Sequence, residues 1–190
     1  MIALAVVAAM ATPAYPCLNG TIMEGDEAVK AIVAIEAHID AGSYGAASER
    51  LGGGFHWMDR HIEARATDAE RVIALRTAPR RTARGAAEYF ANRSKQNPKN
   101  LRYQAWLAEA YSAIGKREQA LAILTDLHKR DVMPDGFAYV TLAKLSDGPD
   151  VDTWLDTCRK RAKTKSICVI PTAARRPAKT TRSFQMKLPR

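Results

Sequence analysis

The stretch 98–134, bounded by Pro98 and Pro134, constrains the fold more than any other part of this chain. It contains two sets of apolar residues that recur at spacings of three and four, the period of one helix face. The first set is Leu107, Ala108, Tyr111 and Ile114, and the second is Ala120, Leu121, Leu124 and Leu127. Gly115 stands between them, where glycine adopts the left-handed conformation that ends a helix. The spacing predicts a helical hairpin, and periodicity alone also allows an ordinary hairpin of an unrelated bundle.

The identities of these residues resemble a tetratricopeptide repeat. The matching positions are Pro98, Leu107-Ala108, Tyr111, Gly115, Ala120 and Leu124. That family combines a large and a small apolar residue, an aromatic ring, a glycine and an alanine at these spacings, with a proline about every 34 residues. The chain is therefore similar to a tetratricopeptide protein of the exported bacterial type.

Weaker helical units flank this repeat on both sides. The segment 27–51 contains Gly42-x-Tyr44-x-x-Ala47, and 67–78 opens with Thr67 and Glu70 in the capping-box pattern. The segment 83–96 follows, and 137–145 with 151–163 forms a last pair. The resemblance implies an all-α fold, a right-handed superhelical stack of three to four degenerate helix pairs over residues 15–170. About three or more such pairs are needed for a stable stack.

The N-terminus predicts a targeting segment. Residues 1–11 are apolar, and Thr12-Pro13-Ala14 offers small residues for cleavage, so 1–14 resembles a secretory signal peptide. The apolar run is shorter than the about 20 residues that span a bilayer, so no transmembrane segment is expected. The predicted location is the periplasm or the extracellular space. The alternative is an apolar helix docked on the first repeat of a cytoplasmic protein.

The three cysteines agree with export. Cys158 and Cys168 flank the end of the last predicted helix, and a disulfide between them would tie the extended segment 166–171 back against that helix. Two free thiols, or a bond from either residue to Cys17, remain open alternatives. No Cys-x-x-Cys pair or zincin spacing occurs, and we expect neither a metal ion nor a cofactor.

Positive charge is concentrated at the C-terminus. The whole chain carries 29 basic and 20 acidic residues, and from Arg159 onward there are eleven basic residues and no acidic one. We predict a disordered basic tail over 171–190, able to contact anionic surfaces weakly. Nucleic acid is a disfavoured partner, because Phe184 is the one aromatic residue available there for base stacking.

Candidate catalytic residues are few. The densest polar group is 56–63, from His56 to Glu63, and its two histidines are five residues apart, which does not suit two ligands on one helix face. We therefore predict that the protein is not an enzyme. An enzyme centred on this group is the remote alternative.

The family resemblance also implies where a partner would bind. In such repeats, partners commonly lie along the concave face made by the first helix of each pair. Carried over residue by residue, this assigns Arg71, Arg102, Ala105, Glu109 and Ser112 to the groove. The predicted function is a non-enzymatic protein–protein interaction or assembly module that binds another protein or peptide. The alternative is a binder of an anionic polymer or membrane surface that acts through its tail.

Overall fold

The structure is a computed structural model that describes residues 25–52, 60–147 and 149–170. Within these ranges it is all-helical, without a strand, which confirms the predicted all-α class. The eight helices are α1 Gly25–Asp40, α2 Tyr44–Leu51, α3 Arg60–Thr77, α4 Pro79–Gln96, α5 Leu101–Ala113, α6 Arg117–Lys129, α7 Gly136–Leu145 and α8 Asp150–Arg161. A short 3₁₀ helix follows at Lys165–Ile167. None of these helices has the length and apolar content needed to span a membrane.

Neighbouring helices pack in sequence order along the chain. Each helix contacts the next one, and α1 also contacts α3 as α5 contacts α7. The buried apolar residues form three successive clusters, one in α1–α5, one in α5–α7 and one in α7, α8 and the C-terminal segment. Their fully buried members include Ile32, Phe90, Leu124 and Leu155. The odd-numbered helices therefore lie near one another, and hydrogen bonds from Arg76 to Glu109 and from Tyr103 to Asp68 connect α3 with α5.

The hairpin of α5 and α6 has the form that the sequence predicts. Asn100 caps α5, because its side-chain oxygen accepts a hydrogen bond from the Arg102 amide at 3.2 Å. Gly115 has a φ of +83° in the turn, a conformation that costs other residues about 1–2 kcal/mol. Ala108 and Ala120 are both fully buried, which lets the two helices approach closely.

Gly115→Ala should lower the free energy of unfolding by about 1 kcal/mol, because alanine resists a positive φ. Gly85→Ala is the matched control and should raise it by about 0.5–1 kcal/mol, since Gly85 lies inside α4 with open space around it. Urea unfolding followed by circular dichroism measures both. Equal signs for the two substitutions would contradict this account of the turn.

Two local predictions of helix starts are wrong. Thr67 does not cap a helix but lies inside α3, where its hydroxyl donates to the Glu63 carbonyl at 3.0 Å. The helix begins earlier because Ile62 and Ala66 continue the buried face. Similarly, α4 begins at Pro79 rather than at residue 83, because proline fits the first position of a helix, where no amide donor is required.

The C-terminal segment 164–170 closes over the last helix pair. Cys158 and Cys168 lie at disulfide-bonding distance, with their Cα atoms 5.7 Å apart, as the sequence predicts. The segment between them forms the 3₁₀ helix instead of the predicted extended run. Its Ile167 packs so closely on Gly136 that a Cβ there would lie 2.7 Å from the Ile167 Cδ1 atom. We call residues 164–170 the C-terminal clasp.

Candidate protein-binding cleft

A cavity of about 320 Å³ opens between α3, α5 and α7. We call it the α3–α5–α7 cleft, since these helices supply most of its walls and each is the first helix of a predicted pair. Its lining residues are Tyr44, Leu75, Arg76, Pro79, Arg80, Glu109, Ser112, Ala113, Phe137, Thr141 and Lys144. The walls combine apolar and aromatic side chains with hydroxyls and charged groups. The lining is more polar than that of a typical small-molecule pocket, which is mainly apolar.

Arg76 holds the three helices together at the base of this cleft. Its side chain is 4% exposed, and its Nε and Nη2 atoms each donate to the Glu109 carboxylate at 3.0 Å. The guanidinium also lies over the Phe137 ring, 3.7 Å from its centroid. Burial alone would lower the pKa of Arg76, but Glu109 and Asp135 outweigh it and raise the pKa above its ordinary value. Arg76 is therefore a permanent charge that links α3, α5 and α7.

The hydrogen bonds around Arg76 are incomplete. Its Nη1 atom is buried and has no hydrogen-bond partner, and the same holds for the Oδ2 atom of Asp135. That oxygen lies 3.9 Å from Arg76 Nη2, which is beyond hydrogen-bond distance. A buried polar atom without a partner costs about 1–3 kcal/mol. The base of the cleft thus keeps donor and acceptor capacity that the described residues do not use.

The edge of the cleft is aromatic at one end and basic at the other. Tyr44 and Phe137 approach to 6.3 Å between ring centroids, which brings the first helix pair against α7. Burial raises the pKa of the Tyr44 hydroxyl, so it stays a neutral donor at physiological pH. Arg80 and Lys144 are exposed on the rim, and no carboxylate among the described residues pairs with either of them.

A second, smaller cavity of about 240 Å³ lies between α1, α3 and α5. Two ion pairs border it, one between Arg65 and Glu36 at 2.8 Å and one between Arg102 and Asp40 at 2.6 Å. Burial raises the pKa of Asp40 although Arg102 opposes the shift. The charged side chains around this cavity are therefore paired with each other. They leave fewer free charges for a partner than the α3–α5–α7 cleft does.

Asp68, which lines this second cavity, is the centre of a buried hydrogen-bond network. It is 4% exposed and accepts hydrogen bonds from the Tyr89 hydroxyl at 2.8 Å and the Tyr103 hydroxyl at 2.7 Å. Arg93 donates to both carboxylate oxygens, at 3.1 and 3.0 Å. Burial, together with the bond to Asp68, raises the pKa of Tyr103 to about 12. Four hydrogen bonds satisfy this carboxylate and the Arg93 guanidinium neutralises it, so Asp68 joins α3, α4 and α5.

The five residues assigned to the groove from sequence lie in different surroundings. Glu109 and Ser112 line the α3–α5–α7 cleft, whereas Arg102 lines the second cavity. Arg71 is exposed and lies over the Tyr89 ring at 5.5 Å. Ala105 is 3% exposed and packs in the core with residues of α6 and α7, so the expectation that it faces a groove does not match its position. A role of the other four in binding stays a prediction.

Sequence reasoning missed most of the cleft, including Arg76, Arg80 and Phe137. One signal was available, because the hydrogen-bonded pair Arg76 and Glu109 is 33 residues apart, close to one repeat length. Residues 76–87 form a second signal, since they include four arginines and neither Asp nor Glu. Neither pattern identifies a site from the sequence alone. Each becomes informative once the structure shows which helices lie side by side.

Comparisons with known proteins leave the family open. The chain matches no protein-family model, no curated protein and no solved structure. In the described ranges, no group of three or more His, Cys, Asp or Glu side chains is placed to hold a metal ion. Three predicted features lie outside the described residues: the signal peptide 1–14, the tail 171–190 and His56 of the polar group 56–63. Glu63 of that group is exposed in the first turn of α3.

Proposed function

We propose that this protein is a non-enzymatic interaction module that holds a segment of another protein in the α3–α5–α7 cleft. In this proposal its helices form a right-handed superhelical stack of tetratricopeptide-like pairs. Three observations support the arrangement: sequential packing of neighbouring helices, contacts between α1 and α3 and between α5 and α7, and polar links about one repeat apart. The first helices of the pairs then supply the binding face.

The observation that carries the proposal is an open cleft over a fixed base. Arg76 contacts Glu109 and Phe137 through interactions within the chain, so the fold itself orders these side chains. Its volume of about 320 Å³ lies within the range of about 300–1,000 Å³ for ligand pockets. A preformed site avoids much of the entropic cost of ordering side chains on association.

We also propose that the protein works in the periplasm or outside the cell. Disulfides form and persist mainly in such oxidising compartments. The pair Cys158 and Cys168 supports this location together with the signal-like segment 1–14.

The test is a selection of peptides from a random library on the full chain, repeated with Ala113→Trp. Ala113 is an exposed residue that lines the cleft, so an indole there fills the space that a partner needs. We expect the selected peptides to lose about tenfold or more in affinity, which corresponds to 1.4 kcal/mol. Isothermal calorimetry provides the measurement.

Ala122→Trp is the matched control for this experiment. Ala122 is exposed on α6 and does not line the cleft, so the same substitution there should leave binding unchanged. Deletion of residues 171–190 tests the alternative in which the protein binds through its basic tail. Equal affinity of the peptides for Ala113→Trp and for the parent chain would refute the proposal. So would a complete loss of binding after deletion of residues 171–190.

A further inference from the structure

The arginines around the start of α4 form no ion pair with the residues that the structure describes. Arg80, Arg81 and Arg84 are exposed within the first two turns of the helix, whose first turn has no acidic residue. Among the described residues, none of the three forms an ion pair. A helix N-terminus carries partial positive charge and favours acids. Repulsion between Arg80 and Arg84, one turn apart, adds to this unfavourable arrangement.

This basic surface continues into the α3–α5–α7 cleft. Arg80 belongs to both, and Lys144 of α7 lines the same cavity. Among the described lining residues Glu109 is the one acid, and Arg76 already binds both of its oxygens. Arg76 itself is not part of this surplus of positive charge, because Glu109 and Asp135 lie beside its guanidinium.

We propose that the partner segment in the cleft is acidic, with Asp or Glu side chains against Arg80, Arg84 and Lys144. An apolar side chain of the same segment enters the cavity between α3, α5 and α7. This inference rests on the proposed function and names the chemistry of the partner. Guanidinium groups match carboxylates through paired hydrogen bonds, which gives arginine clusters a preference for such groups.

The shape of the site favours a peptide over other anions. A flat bilayer surface does not enter a concave cavity between helices, so a membrane would reach the rim but not the interior of the cleft. Single-stranded nucleic acid binds by stacking its bases on free aromatic faces. The Phe137 ring is already covered by the Arg76 guanidinium at 3.7 Å. A peptide side chain therefore fits the combination of basic rim and apolar interior best.

The experiment compares three short fluorescent peptides by anisotropy on the full chain. Each carries two central phenylalanines, and the remaining positions are mostly Glu, Gln or Lys. We expect the Glu peptide to bind at least about tenfold more tightly than the Gln peptide at low salt, and the difference to shrink at high salt. The Lys peptide should bind least. Equal affinities for the Glu and Gln peptides would overturn the inference.

Charge-reversal variants locate the binding surface. Arg80→Glu with Arg84→Glu should weaken the Glu peptide by about tenfold or more. The control, Lys30→Glu with Lys99→Glu, makes the same change in net charge at exposed sites in α1 and before α5. It should weaken binding by less than about twofold, since distant surface charges are screened. Thermal unfolding curves check that both variants stay folded. An equal loss in both variants would overturn the assignment to α4.

Two further outcomes separate this inference from the proposed function. If the library peptides depend on an open cleft but carry no acidic residues, the acidic-partner inference is refuted and the proposed interaction function stands. A library that yields no cleft-dependent peptide would refute both. Stronger binding of a short single-stranded DNA, or of vesicles rich in phosphatidylglycerol, than of the Glu peptide would also overturn the acidic-peptide assignment.

Discussion

We expect Asp68→Ala to lower the free energy of unfolding by about 3–5 kcal/mol, the cost of breaking a buried ion pair by removing one partner. Asp68 is 4% exposed and accepts from Arg93, Tyr89 and Tyr103. Without the carboxylate, the guanidinium and two phenol hydroxyls lose their shared acceptor. Urea unfolding monitored by circular dichroism, with its slope fixed by the parent protein, measures the difference.

Asp126→Ala is the matched control for this carboxylate. Asp126 in the last turn of α6 pairs with Arg130, the residue after this helix, at 3.0 Å, but the two side chains are 58% and 52% exposed. A pair in solvent contributes about 0.3–0.5 kcal/mol within a helix. Similar losses for Asp68→Ala and Asp126→Ala would show that the buried network does not hold α3, α4 and α5 together.

The double substitution Cys158→Ser and Cys168→Ser should lower the free energy of unfolding by about 3 kcal/mol. A bond across ten residues restricts the unfolded chain by about that amount in the chain-entropy model. Addition of a reductant to the parent protein should produce the same loss. Counting thiols in denaturant provides the direct check, because three cysteines with one bond leave one free thiol per chain.

Loss of this bond should also loosen contacts of the C-terminal clasp. Ile167 packs on Gly136 of α7, and its Cγ2 atom lies near Gly42 in the turn between α1 and α2. Hydrogen exchange is therefore expected to rise at Gly42 and Ile167 together after both cysteines are replaced. Three free thiols in the parent protein, or unchanged stability in the double variant, would contradict this account of the clasp.

The local sequence pattern predicted the helices well where local helix signals and burial in the folded protein favour the same structure. The α5–α6 hairpin follows from apolar spacing, a turn glycine and small residues at the crossing, all of which the structure uses. Thr67 shows the opposite case. Its capping-box pattern is local, whereas burial of Ile62 and Ala66 extends α3 through it. A hydroxyl that can donate to the carbonyl one turn earlier makes this extension tolerable.

The site was less accessible from sequence because it depends on how distant helices close. Family spacing assigned Ser112 and Glu109 to a groove, and both line the cleft. The same spacing placed Ala105 there, but α5 lies between other helices and buries that side. Arg76 carried no local motif, since its importance comes from Glu109 on α5 and the ring of Phe137 on α7. Such convergence requires three-dimensional coordinates.

The most direct test of a partner-binding cleft is amide chemical-shift mapping of the full chain with a library-selected peptide. The account predicts the largest shifts at Leu75, Ser112 and Phe137, which lie on the three helices that line the cavity. Smaller shifts should appear along the first turns of α4, where Arg80 and Arg84 contact the acidic side chains. Shifts confined to residues 171–190, or spread over helices that do not line the cleft, would contradict it.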